Sequence, residues 1–361
     1  MNQLTKIPQA QALSLWNKFT SSHPGIVPFS FNPSIYNFYK KHFDWKPYYI
    51  MVYREDELCG VFPLVYTGKA WVSLPHFSYG GYLQKKDPIN SFSADLLTEI
   101  ISNLHDYDTG FYAYNHTISN HIETQLPEKA FIRSLKHEAI KDSFKSEKVT
   151  SILTLPSEVS VFRQSLNSNL RRKINRATKN GFFVKIGSKE LLDDFYYVYT
   201  QNIRKLKSLS YSKLFFKDLI DTWEYGTIKV FVAFKENIPI GAAITASYSG
   251  FYENMYFATI NEFRKDYITD FLNWNIVNYC ILDLDKSKLN LKRERYYSFG
   301  RSNYNSGVYA YKNHWPVFNL DLYSYQNYFD IRKKNWLYFI WGLLPNPITS
   351  YLGQRLIKHI Y

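Results

Sequence analysis

The sequence has 361 residues, 45% of them apolar, too long for one average domain and too rich in core formers for wholesale disorder. Its two cysteines, Cys59 and Cys280, form no C-x-x-C pair and lie near no pair of histidines, which excludes a disulfide framework and leaves no expected zinc or other metal site. Lys and Arg number 44 against 31 Asp and Glu, a formal +13 that suits a polyanionic partner (nucleic acid, phosphorylated substrate or anionic lipid) or a basic surface with no such role.

In chain order, the segment from Met1 to Gly25 reads as a helix: Ala10, Leu13, Trp16 and Phe19 keep helical spacing, and His23-Pro24-Gly25 ends the run. No apolar run with a cleavage site is visible there, so no signal peptide is expected, and no stretch approaches the roughly 20 apolar residues of a membrane span. A second helix is predicted from Pro33 to Phe43. Tyr48–Tyr53, the turn Arg54–Glu57 and Leu58–Leu64 read as strand, turn and strand. Extended segments follow at Ala70–Leu74 and Phe111–Tyr114, with a helix over Ser93–Leu104 between them.

The order then repeats. Helices are predicted over Asp193–Lys205 and Lys213–Thr222, then strands over Ile228–Phe234 and Ile240–Ser247 around a turn at Lys235-Glu236-Asn237. The two strand-turn-strand units align at one fixed offset, with Val52 on Ala233 and Gly60 on Gly241, which argues for two copies of one α/β unit. The boundary falls in the polar stretch before the strand Val149–Leu155. The expected division is 1–148, 149–330 and a C-terminal tail, 331–361.

Ser157 to Asn180 reads as one helix behind Pro156, with Phe162, Leu166, Leu170, Ile174 and Ala177 on one face and Arg171, Arg172, Lys173, Arg176 and Lys179 on the other. Such a face can neutralise phosphates, or be a solvated basic surface. In the tail, Trp336–Leu344 is apolar, with Arg332, Lys333 and Lys334 before it and Arg355 and Lys358 after it. It is too short to span a bilayer; it suits either a peripheral membrane contact through 336–360 or a helix docked on the core.

Three segments carry a resemblance. Leu170-Arg171-Arg172-Lys173-Ile174-Asn175-Arg176-Ala177-Thr178-Lys179-Asn180-Gly181-Phe182, Ala258-Thr259-Ile260-Asn261-Glu262-Phe263-Arg264, and Phe299-Gly300-Arg301-Ser302-Asn303-Tyr304-Asn305-Ser306-Gly307-Val308-Tyr309-Ala310-Tyr311-Lys312-Asn313-His314-Trp315 are similar to segments of the Fem-like transferases, the peptidoglycan-bridge aminoacyltransferases and their relatives. The resemblance covers roughly residues 150–325. The first half resembles the family through its hairpin and Ser78-Tyr79-Gly80-Gly81-Tyr82. It implies an α/β (α+β) chain of two tandem GNAT-like domains, each a mixed, mostly antiparallel sheet flanked by helices. It also implies transfer of an acyl or aminoacyl group to an amine of a peptidoglycan-type or lipid-linked envelope precursor. The donor would be a phosphate-bearing substrate, aminoacyl-tRNA or acyl-CoA, with no bound cofactor. The protein would be cytoplasmic, on the inner face of the membrane. N-acylation of a sugar nucleotide or polysaccharide unit from acyl-CoA, and a non-catalytic membrane- or nucleic-acid-binding relative, remain as alternatives.

Amide formation needs a positioned neutral amine and a stabilised oxyanion. Lys312 is the candidate for that charge; read as a strand, its segment puts Lys312 and Tyr311 on opposite faces, and an exposed strand lysine is the alternative. Arg301, after Gly300, can clamp a phosphate or make a structural ion pair. Ser306 and Ser302 are not read as nucleophiles, since no His and acid support them. Tyr304 and Tyr309 are candidates for substrate hydrogen bonds or core packing. Asp266 or Asp270 can accept the amine proton, or cap a helix. The stretch Phe263–Thr269 lacks the Gly-rich pyrophosphate loop of coenzyme A users, which argues for a donor held by side-chain cations.

Overall fold

A computed structural model describes residues 4–85, 94–104, 107–115, 129–135, 144–283, 294–326 and 356–357. The chain forms two compact units, one of Met1–Val149 with 320–326, the other of Thr150–Asn319. Both are mixed, mostly antiparallel sheets flanked by helices, as the resemblance implies.

The first unit runs β1 (Leu4–Ile7), α1 (Gln9–Ser22), α2 (Ile35–His42), β2 (Lys46–Arg54), β3 (Glu57–Tyr66), β4 (Trp71–Val72), β5 (Leu83–Gln84), α3 (Ala94–Leu104), β6 (Gly110–Asn115) and β7 (Ala130–Leu135). The helix predicted from Met1 to Gly25 starts only at Gln9. Pro8 is extended (φ −54°, ψ 133°), and Leu4–Ile7 pairs antiparallel with β6, Leu4 opposite Tyr114. Long-range pairing and burial of Leu4 override the local helical spacing. Strand β6 lies between β1 and β2, parallel to β2. The aromatic excess is core: Trp16 packs 5.0 Å from Tyr49, Tyr36 packs 4.7 Å from Phe111, and the Trp16 indole donates to the Phe31 carbonyl at 2.8 Å.

The second unit takes up the chain within β8 (Phe144–Thr154). It continues through α4 (Val159–Ser165), α5 (Ser168–Lys179), β9 (Phe182–Gly187), α6 (Leu192–Lys205), α7 (Lys213–Thr222), β10 (Ile228–Lys235), β11 (Ile238–Tyr248), β12 (Phe251–Thr259), α8 (Ile268–Leu282), β13 (Tyr296–Asn303) and α9 (Gly307–Lys312). The single helix predicted over 157–180 is two. Asn167 takes an extended conformation and its side chain accepts from the Leu170 amide at 2.8 Å, a cap that starts α5 afresh. Strands β9 to β13 lie in sequence-reversed order, and only β12 and β13 among them are parallel. The last strand, β14 (Phe318–Gln326), pairs antiparallel with β7, Leu322 opposite Leu135, so 320–326 joins the first unit rather than the second.

The repeat extends to hydrogen-bond register. In the β2–β3 hairpin Met51 faces Val61, Val52 faces Gly60 and, after a bulge, Tyr53 faces Leu58. In the β10–β11 hairpin Val232 faces Ala242, Ala233 faces Gly241 and Phe234 faces Pro239, every pair displaced along the chain by the same offset that carries Gly60 onto Gly241. Glu55 (φ 48°) and Asp56 (φ 64°) form the first turn, and Glu236 (φ 55°) opens the second. The shared glycine has a packing reason in both copies. A Cβ at Gly60 would sit 2.3 Å from the buried Tyr82 ring, and one at Gly241 3.2 Å from Ile268.

These distances separate two substitutions. Gly60→Ala is expected to destabilise by about 1–3 kcal/mol, the usual range for overpacking, because the added methyl overlaps the buried Tyr82 ring. Gly241→Ala needs only a few tenths of an ångström from α8 and is expected to cost less. Equilibrium urea unfolding of both variants checks the order; equal costs would contradict it.

Candidate active site

Strand β13 follows β12 only from Tyr296 to Ser298, opposite Phe251 to Glu253. Gly300 then takes φ 75°, a conformation costly for any residue with a Cβ. The turn brings two successive carbonyls onto one side chain: the Lys312 ammonium donates to Gly300 O at 2.7 Å and to Arg301 O at 3.0 Å. Lys312 is 6% exposed. Burial pulls its pKa down to about 8, with Glu253 opposing that fall and the Arg301 guanidinium adding to it. Glu253 is buried in β12, directly opposite Ser298. An ammonium has three N–H donors, so one remains for a ligand after the two carbonyls are served.

The segment that carries Lys312 is a helix, not the strand that alternation suggested. Ser306 caps α9: its hydroxyl accepts from the Tyr309 amide at 3.2 Å and donates to Asn303 O at 2.7 Å. That cap outweighs the β-propensity of Val308, Tyr309 and Tyr311. Lys312 is therefore neither on a strand nor exposed. Tyr304 and Tyr309 are half-buried neighbours, ring centroids 5.5 Å apart, beside the cap. Arg301 is half-buried and Ser302 buried.

Helix α5 is drawn to the same unit's core by Leu170, Ile174 and Ala177. Its N-cap also donates from Asn167 Nδ2 to His314 O at 3.2 Å, just beyond α9. Of its cations, Arg172 bonds Asn169 at 2.9 Å; Lys173 and Arg176 lie 5.9 and 5.7 Å over the Tyr267 ring. Arg171 is half-buried on the same helix. Tyr267 is left-handed (φ 66°) at the start of α8, after a 3-10 helix over Asn261–Asp266. The amides of Phe263 and Tyr267 are already bonded, to Ile260 O and Arg264 O. Two amides of the stretch where a Gly-rich loop would lie are therefore already used within the chain.

Asp270 lies in the first turn of α8, 5% exposed, and does not cap it: the cap residue is Tyr267, with no side-chain bond. Burial raises the Asp270 pKa, while Lys173, the Tyr311 hydroxyl and His314 oppose the rise. The Tyr311 hydroxyl accepts from Asn273 Nδ2 at 3.1 Å. The fold thus gathers Lys312 and Arg301 with Glu253, and Lys173 with Asp270, Asn273, Tyr311 and His314. Ser306 serves as a helix cap. Glu253, Asn273 and Tyr311 were not foreseen. The only signal for Glu253 is that it is the one charged residue of the run Phe251–Thr259. Among the described residues no group of His, Cys, Asp and Glu is arranged to hold a metal ion, and no helix is long and apolar enough to cross a membrane. The membrane contact expected at 336–360 lies outside the described residues, 356 and 357 apart.

The buried lysine has a measurable signature. Its folded pKa lies below its unfolded value of 10.5, so between about pH 8 and 10.5 the unfolded state holds the extra proton and stability rises with pH. Wild type is expected to gain stability relative to Lys312→Met across that window, by up to about 1.4 kcal/mol per pH unit. Parallel curves for the two proteins in urea titrations at pH 7.5 and 9.5 would contradict the burial.

No protein-family model matches the chain, and no curated protein matches it in sequence. Solved structures do. FemX aligns with a TM-score of 0.61 at 14% identity, over 94% of this chain and 100% of its own. A domain described as the C-terminal part of a putative lysylphosphatidylglycerol synthetase from Agrobacterium fabrum aligns at 0.53 and 10% identity, over 96% of this chain and 97% of its own. A conserved protein of unknown function from Bacteroides thetaiotaomicron aligns at 0.53 and 9%, over 90% and 99%. The chain has the fold of FemX, as its motif resemblance to the Fem-like transferases implied.

Proposed function

We propose that the chain is an acyl- or aminoacyltransferase that forms an amide on an amine of a cell-envelope precursor, peptidoglycan-type or lipid-linked, at the inner face of the membrane. The observation that carries the reading is the buried Lys312 ammonium, held on the Gly300 and Arg301 carbonyls with one N–H to spare, at the point where β13 leaves β12. A neutral amine attacks the ester or thioester carbonyl of the donor. Its oxygen becomes an oxyanion, and the spare Lys312 N–H meets it in a site largely closed to water. The tetrahedral carbon then expels the donor's hydroxyl or thiol, which takes up the proton the amine loses. Arg301 supplies further positive charge beside Lys312.

Donor phosphates fall to the cations of α5, Arg171, Arg172, Lys173 and Arg176, with Tyr304, Tyr309 and the Ser306 turn on the α9 side of the site. The lack of a Gly-rich loop over Phe263–Thr269 favours an aminoacyl-tRNA donor over acyl-CoA, whose pyrophosphate such a loop wraps.

Lys312→Ala is expected to lower turnover by about 10²–10³-fold, the cost of losing one oxyanion donor, with the fold retained by circular dichroism. Unchanged turnover would sink the assignment. Because Lys312 must be protonated, kcat/KM is expected to fall above about pH 8, and Glu253→Gln to move that limb to lower pH by removing the carboxylate that holds the proton. Arg171→Gln with Arg172→Gln is expected to weaken charged-tRNA binding and flatten its salt dependence, each lost phosphate contact reducing the slope by about 1. Saturable acyl-CoA binding with no preference for charged over uncharged tRNA would instead favour N-acylation from a thioester. Binding with no turnover on either donor would favour a non-catalytic relative.

A further inference from the structure

One turn apart on α8, Asp270 and Asn273 are 5% and 2% exposed, and each has an oxygen, Oδ1, that accepts no hydrogen bond. Burying such acceptors without donors is costly, and doing so with a carboxylate is more so. Both side chains converge on one atom. Asn273 Nδ2 donates to the Tyr311 hydroxyl at 3.1 Å, and that hydroxyl in turn faces the Asp270 carboxylate. Asn273 Nδ2 also donates to Thr269 O at 3.1 Å, which fixes the amide with its oxygen as the open end. The unused capacity of the three side chains is therefore two acceptors, one of them on a carboxylate, and the unpaired indole N–H of Trp315 lies beside the Tyr311 hydroxyl. Lys173 and His314 act on the carboxylate through space.

We infer that the Asp270–Asn273–Tyr311 cluster is a binding site for a primary ammonium group of a substrate. An ammonium carries one positive charge and several N–H donors, the complement of two open acceptors and a carboxylate. A carboxylate or a hydrocarbon there would leave both oxygens unmatched. The site rests on the acyl-transfer reading for its meaning. Tyr311 and Lys312 are successive residues of α9, so one short helix carries both the cluster's hydroxyl and the cation assigned to the oxyanion. An aminoacyl donor carries an ammonium on the carbon bonded to its reacting carbonyl, and is one source of such a group. The attacking amine of the acceptor is the other source of the same chemistry, although a carboxylate beside it would favour its unreactive protonated form.

The test is calorimetric titration of the full-length protein at pH 7 with three sets of probes. The first is a panel of amino acid amides, in which an ammonium neighbours a carbonyl. The second is the matching desamino amides, which lack only the ammonium. The third is simple alkylamines and the Nα-acetyl amide of lysine, whose ammonium has no carbonyl beside it. At least one amino acid amide is expected to bind saturably and tenfold or more above its desamino counterpart, the usual weight of a charge-assisted hydrogen bond. Asp270→Asn and Asn273→Ala, each with an unchanged near-ultraviolet circular dichroism spectrum, are expected to remove that preference. Equal preference for alkylamines, with the same dependence on Asp270, would support the site and assign it to the acceptor amine. No preference in wild type, which needs no variant to read, or a preference that survives both substitutions, overturns the inference. If ammonium preference fails while Lys312→Ala still abolishes turnover, only this inference falls. If it holds while Lys312→Ala is fully active, only the acyl-transfer reading falls.

Discussion

An ammonium taken out of water must be given oxygen atoms, and in the second unit this requirement organises everything around it. Lys312 finds two of its acceptors in successive carbonyls of one strand, which an extended strand would point in opposite directions. Only a break in the strand can aim both at one nitrogen, and Gly300, left-handed two residues after the β12 ladder ends, makes it. The parting of β13 from β12 and the capture of the lysine are the same event. Ser306 completes it by starting α9 at the distance from which Lys312 can reach back.

The duplication explains the frame but not the site. In both units a strand, two helices and a bulged hairpin follow one another, and the hairpins match at a constant offset down to the residue at which the register slips. The copies part company afterwards. In the first unit β6 inserts between β1 and β2, whereas β9 pairs directly with β10 in the second. The second adds β12 and β13 beyond β11, while β3 carries only the short pairings with β4 and β5. The parallel pair that releases Lys312 belongs to the second unit, and so do the motifs that resemble the Fem-like transferases.

The basic helix illustrates how little a charge run says until its neighbours are known. Two of its four candidate cations lie over the ring of Tyr267 and a third bonds along its own helix. Their electrostatic reach remains, because a cation over a ring keeps its charge. They are nevertheless ordered by contacts within the unit. Lys173 also lowers the cost of the buried Asp270 carboxylate, linking the basic helix to the polar cluster on α8.

By itself the sequence determined what local chemistry can determine. Apolar spacing marked α2, α3, α6 and α7, and the turn residues Arg54–Glu57 and Lys235–Asn237 marked both hairpins, because period and turn conformation are properties of adjacent residues. The string from Phe299 to Trp315 marked Lys312 and Arg301 as candidates. It could not show that Leu4–Ile7 is a strand or that Phe318–Gln326 returns to the first unit, since each depends on a partner far along the chain. Nor could it show that Lys312 rides a helix, that Asp270 caps nothing, that Glu253 acts on the Lys312 ammonium, or that Asn273 bonds the Tyr311 hydroxyl. Those are facts of burial and of which polar atoms meet, and burial is settled only when separate segments close over one another.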